Sequence, residues 1–366
     1  MTADPTADPH AQPLVLDAAP REPTGWFDLA RVLAILAVVV VHATSEQVVS
    51  RTAGDPATAA WWTANLLDSA SRWCVPVFLM VSGALLLDPR RTDRPRDFYR
   101  RRLARIGVPL VVWTLVYLVF RAAWFGDLDP ADAARDVAAG TPFLQLYFLY
   151  VLAVLYVLTP FLRLVVRHAT HRMQAAFGGV LLGLGAADQV LSAFLDVGGA
   201  SAATRFLPYA GYFTLGWLLR DVPLTRRAVR AAALAFTAMV AATAGLVALS
   251  AAFVGWGSPG RYLYGYLSPT VVVMSVAAFV LLRAWGLRAA GSRWAPGHRV
   301  AALSALTFGV YLVHPLFLYP LQRYWAAPAD GPGWAAVTAG HVVATVAGSL
   351  ALTWALLRVP GLRSTV

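Results

Sequence analysis

Residues 26–46 form a stretch long and apolar enough to cross a bilayer, yet four of them could do chemistry. In a helix of 100° per residue, Arg31 and His42 are eleven residues apart and project within about 20° of each other. Asp28 and Glu46 fall on the same face. Histidine can take a proton from a hydroxyl near neutral pH, so this face offers a general base and, about three turns away, a fixed positive charge.

A charge placed in hydrocarbon costs free energy, so this face must meet protein or water instead of lipid. Two interpretations remain open at this point. The face either lines a functional site, or it holds a structural ion pair and a histidine whose hydrogen bonds are satisfied within the protein.

The segment 61–87 also carries polar residues on one face of an apolar helix. Asp68, Ser69 and Arg72 lie three, four and seven residues after Asn65, and these spacings stay on one helical face. Asp68 and Arg72 have the i, i+4 spacing of a helical ion pair. This face is either a buried polar contact with the first helix or the wall of a polar cavity in which Arg72 holds an anionic group.

Three other residues of this segment predict local structure. Pro76 predicts a kink in the helix, and Gly83 predicts the close approach of another helix. Cys74 is the only cysteine of the chain, and its apolar neighbours favour a small buried residue over a nucleophile. A single cysteine excludes an intrachain disulfide and a multi-cysteine metal site.

The segment 88–105 is dense in arginine, which admits two explanations. Positive charge anchors a loop on the cytosolic side of a membrane. Arginine is also the preferred bidentate partner of phosphate. Arg101, Arg102 and Arg105 stand where the next helix enters the membrane and are candidates to hold a phosphorylated cosubstrate.

Two further histidines lie in late apolar segments. At 1.5 Å per residue, His42 and His314 lie about 24 Å and about 20 Å from the cytosolic ends of their segments. His341 lies about 10 Å below the opposite face. The three imidazoles are therefore at similar depth, although a lone histidine such as His341 is more often a hydrogen bonder between helices.

The composition is that of an integral membrane protein. Hydrophobic residues make up 58% of the 366 residues, charged residues only 13%, and the mean hydropathy is +0.60. A soluble domain carries about 25% charged residues. The net charge of +11 comes from arginines, most of them in short loops, so it indicates membrane orientation, and no nucleic-acid partner is expected.

The fold class predicted from these patterns is an all-α, polytopic membrane protein of about ten transmembrane helices. The predicted spans are 26–45, 61–87, 106–125, 143–163, 175–195, 206–220, 231–256, 263–283, 301–322 and 334–357. Span 206–220 is the weakest of them because it is short and contains Pro208. Residues 1–24 are predicted to be a disordered cytosolic tail, 25–358 the membrane domain and 359–366 a second cytosolic tail.

The positive-inside rule supports this count. With the N-terminus in the cytosol and ten crossings, twenty-one arginines face the cytosol and six face the other side. A missed span would reverse the pattern downstream, so both termini are predicted to be cytosolic.

The residues discussed so far resemble the membrane acyltransferase family 3. Asp28, Arg31 and His42 match its Asp-x-x-Arg pattern followed, ten residues later, by histidine on the first helix. Within the family, the likeness is nearest to the branch that acetylates enterobacterial common antigen. Further blocks that resemble the family, in the same order, are 69–83, 98–109, 146–162 and 308–316.

The resemblance implies transfer of an acyl group, usually acetyl from acetyl-CoA, to a sugar hydroxyl, with no metal. His42 is the expected base, with a transient acyl-imidazole as the competing role. Asp28, or Glu46 one turn beyond His42, is expected to orient its neighbours, and His314 to position the acceptor or the oxyanion. The residues expected to bind the donor are Arg31, Arg72, Arg101, Arg102 and Arg105.

The implied partners are the lipid bilayer and a carbohydrate or glycolipid acceptor, and the implied location is the inner (plasma) membrane. The main alternative is a secondary transporter, because intramembrane histidine, arginine and aspartate also form proton relays. Transporters often show internal repeats and paired broken helices, and the sequence shows neither.

Overall fold

The structure is a computed structural model that describes residues 24–51, 57–91, 94–126, 129–195, 197, 205–290 and 297–366. Regular structure in these ranges is helical throughout. Two short 3-10 turns cover Leu207–Tyr209 and Leu362–Thr365. The α-helices are α1 (Gly25–Val49), α2 (Ala59–Ser71), α3 (Cys74–Leu86), α4 (Pro95–Phe125), α5 (Pro130–Ala139), α6 (Tyr147–His168), α7 (His171–Leu195), α8 (Ala210–Arg220), α9 (Arg226–Phe253), α10 (Gly257–Leu263), α11 (Pro269–Ala290), α12 (His298–Tyr324) and α13 (Pro332–Arg358).

The helices confirm the prediction of an all-α polytopic membrane protein. Within the described ranges, nine helical segments are long and apolar enough to span, α2 and α3 together forming one of them. The predicted span that is not among these nine segments is 206–220. Its α8 has eleven residues, about 16 Å of helix, which is too short to cross about 30 Å of hydrocarbon alone.

The structure shifts the predicted span 263–283. Its first residues belong to the short α10 and to the turn that follows it, and the long helix α11 runs from Pro269 to Ala290. Proline fits the first turn of a helix and disfavours helical structure in the residue before it, so Pro269 sets the start of α11.

The predicted kink in the second span lies at the junction of α2 and α3. The helix is interrupted at Arg72 and Trp73, before Pro76. A proline ring crowds the carbonyl four residues earlier, which here belongs to Arg72. The proline therefore determines where Arg72 leaves the regular helix.

Helix α8 crosses α3 at two glycines. A β-carbon on Gly83 would overlap the backbone of Phe213, and one on Gly216 would overlap the backbone of Met80. The close approach predicted for Gly83 is confirmed, and it buries one face of the short α8 inside the bundle.

Three arginines on helices α6, α8 and α11 donate to free carbonyls at or just after the ends of other helices. Arg163 donates from Nε to Leu86 O at 2.8 Å, and Arg220 donates to Ala84 O at 2.8 Å, both in the last turn of α3. Arg283 donates to Val222 O at 2.6 Å, just after α8. We call this end of the bundle, where α1 begins and α3 ends, the arginine-rich end. Its assignment to the cytosol stays a prediction.

The predicted terminal tails differ in what the structure shows. The N-terminal tail, apart from Thr24, lies outside the described residues. Residues 359–366 do not extend away from the bundle, because the indole Nε1 of Trp113 in α4 donates to Thr365 O at 2.7 Å. This C-terminal segment therefore packs against α4.

Candidate active site

Two histidines from different helices meet inside the bundle. His42 of α1 and His314 of α12 have ring centroids 4.9 Å apart, and His314 Nε2 lies 3.4 Å from His42 Nδ1. His314 is fully buried, whereas His42 is half-buried. The contact joins two residues that are 272 positions apart in sequence.

The backbone assigns the tautomer of both rings. His42 Nδ1 lies 2.8 Å from Val38 O, and His314 Nδ1 lies 2.8 Å from Tyr311 O. A carbonyl only accepts, so each Nδ1 carries a proton and donates it. His314 Nε2 therefore faces the Nδ1–H of His42 as a second acceptor, and His42 Nε2 keeps its lone pair for a substrate.

A cavity of about 460 Å³ lies at the arginine-rich end. Its walls combine four guanidinium groups with aromatic and aliphatic side chains from α1, α3, α4, α6 and α12. We call it the arginine cavity. The arginines that line it are Arg31, Arg91, Arg102 and Arg105.

Short contacts hold two of these guanidinium groups in place. Asp28 pairs with Arg31, its Oδ1 lying 3.3 Å from NH1, and accepts a hydrogen bond of 2.7 Å from Ser304 Oγ. Arg102 donates to the hydroxyl of Tyr156, and its guanidinium carbon lies 5.4 Å from the centre of that ring. Asp28 thus orients Arg31, and Tyr156 orients Arg102, toward a shared space.

Aromatic residues lie between the arginine cavity and the histidine pair. Phe78, Phe148 and Tyr311 line the deep part of the cavity, and the Phe148 and Tyr311 rings are 5.2 Å apart. Tyr311 also contacts His314, with ring centroids 6.1 Å apart. Along α1, the eleven residues from Arg31 to His42 span about 16 Å.

The polar face of α2 forms a buried network close to His42. Asp68 is ion-paired with Arg72, which also lies over the Tyr264 ring at 4.1 Å. Asn65 donates to Ala244 O of α9 at 2.9 Å and accepts from the Tyr264 hydroxyl at 2.6 Å. Arg72 lies near enough to His42 for the two to interact electrostatically.

Two arginines expected at the donor site lie elsewhere. Arg72 is not among the residues that line the arginine cavity, because the helix break and its pairing with Asp68 hold it at the level of the histidines. Arg101 is exposed on α4, whereas Arg102 and Arg105 line the cavity. Arg101 and Arg105 are four residues apart and share a helical face, so periodicity did not separate them, and the structure shows which of the two lines the cavity.

The remaining candidates have local roles. His341 bonds Trp325 O at 2.8 Å and meets the Trp325 ring edge-on, which links α13 to the end of α12. Cys74 is fully buried and free, as predicted. Glu46 is exposed.

Ser304 and Tyr156 were not predicted to be site residues. The available signal was weak, because each is one polar residue in an apolar helix. Only the structure shows that Ser304 contacts Asp28 of the first helix and that Tyr156 contacts Arg102 of the fourth.

Comparison with known proteins places the chain in a family. A family model described as an acyltransferase domain, that of acyltransferase family 3, matches residues 24–358. The chain belongs to this family, and it is therefore a membrane acyltransferase. Searches of curated proteins and of solved structures gave no match. The likeness to the branch that acetylates enterobacterial common antigen stays a prediction.

Proposed function

We propose that this protein transfers an acyl group, acetyl from acetyl-CoA, to a hydroxyl of a cell-surface or exported carbohydrate. The observation that carries the proposal is the arrangement of one arginine-lined cavity and one histidine pair in a single bundle. The cavity ends at Tyr311, and the histidine pair begins one helical turn further along α12.

The arginine cavity supplies what the donor needs. Coenzyme A carries phosphate groups, and Arg31, Arg102 and Arg105 offer planar N–H donors that match phosphate oxygens. The aromatic and aliphatic walls deeper in the cavity suit the uncharged arm that carries the thioester. The donor therefore enters at the arginine-rich end with its thioester pointing toward the histidines.

His42 is the base that activates the acceptor. The acceptor hydroxyl gives its proton to His42 Nε2, and its oxygen attacks the thioester carbonyl carbon. The tetrahedral intermediate then breaks its carbon–sulfur bond, and His42 returns the proton to the leaving thiolate. The products are the acyl ester and free coenzyme A.

His314 is a positioning residue in this scheme. Its Nδ1–H is fixed by Tyr311 O, so its Nε2 presents a lone pair to the Nδ1–H of His42. This contact and the Val38 carbonyl hold the His42 ring and favour the imidazolium that forms when Nε2 takes the proton. An acylated imidazole would use the same Nε2, and a trapped acyl-enzyme would distinguish the two roles.

The donor half of the proposal is tested by heat protection of the protein in detergent. A ligand that binds only the folded state raises Tm. At a ligand concentration of 100 times the Kd, the free energy of unfolding rises by about 2.7 kcal/mol. We expect acetyl-CoA to raise Tm more than the same concentration of acetate. Equal effects of the two compounds would contradict the donor.

The acceptor half is tested in cells. We expect glycans from a strain that lacks the gene to lose base-labile acyl esters, measured by mass spectrometry, and to regain them on complementation. An unchanged glycan profile would contradict a carbohydrate acceptor.

A further inference from the structure

A second polar cavity, of about 510 Å³, lies at the end of the bundle opposite the arginine-rich end. It is formed by α7, by the 3-10 turn before α8 and by the turn between α10 and α11, and α6 begins at its edge. We call it the tyrosine cavity. Its polar and aromatic side chains include Tyr147, Asp188, Gln189, Arg205, Tyr209 and Arg261.

We propose that the tyrosine cavity binds the sugar of the acceptor, an inference that rests on the proposed function. A sugar ring combines apolar C–H faces with hydroxyls that both donate and accept hydrogen bonds. The cavity pairs aromatic rings with a carboxylate, a carboxamide and guanidinium groups, so it offers both kinds of partner. A third cavity, between α9 and α11, is lined by aliphatic residues and offers no such partners.

Two polar atoms of residues that line the tyrosine cavity have unsatisfied hydrogen-bonding capacity. Gln189 Oε1 and the Tyr147 hydroxyl are buried without a partner among the described residues. A buried polar group left unpaired costs about 1–3 kcal/mol, so such groups in a cavity wall favour a polar ligand or water. Glycine at position 265 leaves room here, because a β-carbon would lie 2.9 Å from Gln189 Oε1.

The charges of this cavity are mixed. Asp188 is exposed to it as an acceptor, and Arg205 and Arg261 supply donors. Arg205 is anchored by a 3.3 Å hydrogen bond to Ala139 O. The arginine cavity has four guanidinium groups against one carboxylate, so the two cavities differ in the ligand that their charges favour.

Aromatic residues and Arg72 lie between the tyrosine cavity and the histidine pair. The Tyr147 ring stacks on Tyr266 with centroids 6.3 Å apart, and Tyr212 donates to Tyr266 O at 2.5 Å. Tyr266 interacts with Arg72, and Arg72 interacts with His42. The tyrosine cavity therefore lies on the side of His42 opposite the arginine cavity, and these packed side chains separate it from the histidine pair.

The experiment uses membranes of the gene-deletion strain that carry each full-length variant. Radiolabelled acetyl-CoA is the donor, the endogenous glycan is the acceptor, and the initial rate of label entering base-labile glycan esters is measured. The variants are Gln189→Ala, which removes the unpaired carbonyl, and Ser192→Trp, which fills the cavity. The matched control is Leu184→Trp, on the same helix at a position that is 63% exposed and does not line the cavity.

We expect both cavity variants to lower the rate at least tenfold, with an unchanged KM for acetyl-CoA and an unchanged heat protection by acetyl-CoA. Leu184→Trp should retain the wild-type rate. Rates within twofold of wild type in both cavity variants would overturn the inference. If acetyl-CoA fails to protect the wild-type protein, the donor proposal fails instead, and the dependence of glycan esters on Gln189 still tests the acceptor site in complemented cells.

Discussion

Charged residues of the first and fourth helices differ in the groups that they contact. The Asp28 carboxylate forms an ion pair with Arg31 of its own helix and accepts a hydrogen bond from Ser304 of α12. Arg102 is held by Tyr156 and faces the same cavity. Neighbouring arginines on α4 therefore have different roles although the sequence presents them as one cluster.

This division predicts a contrast between adjacent substitutions. Arg102→Ala removes a guanidinium that lines the arginine cavity, and we expect the KM for acetyl-CoA to rise about tenfold, because a hydrogen bond to a charged group contributes about 1.5–3 kcal/mol. Arg101→Ala, one residue away and exposed, should leave that KM within twofold of wild type. Equal increases for both variants, measured by initial rates, would show that the effect is general charge loss.

Contacts within one helix were predictable from the sequence, whereas contacts between helices were not. The Asp28–Arg31 and Asp68–Arg72 pairs follow from their spacings of three and four residues, and both form. The contact between His42 and His314 depends on how α1 packs against α12. The similar depths predicted for the two histidines were compatible with this contact but did not require it. Arg72 was assigned to the donor site because periodicity gives its direction but not the neighbour that it meets.

The short α8 is packed closely against α3. It cannot cross the bilayer alone, and it is held where Gly216 lies against the backbone of Met80 and Gly83 against that of Phe213. The same packing explains why 206–220 is the weakest predicted span. A helix that is buried through glycine contacts needs little length or hydrophobicity of its own.

We expect Gly216→Ala to lower Tm. The new methyl group would overlap backbone atoms that cannot rotate away, and overpacking costs typically about 1–3 kcal/mol. Gly183→Ala is the matched control, because a β-carbon there meets nothing within 4 Å and alanine favours helix by about 1 kcal/mol. A thermal melt in detergent with no difference between the two variants would contradict the contact.

The start of α2 is capped by a residue from another part of the chain. The backbone N–H of Ala60 donates to Asp330 Oδ1 at 2.9 Å. Hydrogen bonds from the backbone N–H groups of Ala60 and Gly331 lower the pKa of the exposed Asp330 carboxyl below its ordinary value. A carboxyl whose pKa is lower in the folded state stabilises the fold above its unfolded pKa, and this contribution is lost as the pH falls through the folded pKa.

We therefore expect Asp330→Ala to lower Tm at neutral pH, and the difference from wild type to shrink as the pH falls below about 4. Asp330→Asn keeps an acceptor oxygen for Ala60 and should lose less. Melting curves at several pH values check this, and a difference between Asp330→Ala and wild type that does not change with pH would exclude the capping carboxylate as its source.

The arginine cavity and the tyrosine cavity lie at different positions along the bundle axis. The arginine cavity lies where α1 begins, and the tyrosine cavity lies where α6 begins, at the opposite end. Under the proposal, the donor and the acceptor enter from opposite ends of the bundle. It requires the orientation predicted by the positive-inside rule, with the arginine-rich end in the cytosol, where acetyl-CoA is made.

Cysteine labelling tests this orientation. Arg100→Cys, on α4 at the arginine-rich end, should react with a membrane-impermeant maleimide only after the cells are lysed. Ala134→Cys, exposed on α5, should react in intact spheroplasts. Cys74 is fully buried and should give little background. Labelling in the reverse order would place the donor cavity on the wrong side of the membrane.

The most direct test of the account is the rate of acyl transfer by His42→Ala at saturating acetyl-CoA. General base catalysis contributes about 100- to 10,000-fold, so we expect a loss of at least 100-fold while heat protection by acetyl-CoA stays at the wild-type level. That result separates the histidine from donor binding. A rate near that of wild type would contradict the catalytic role of His42 and with it the proposed mechanism.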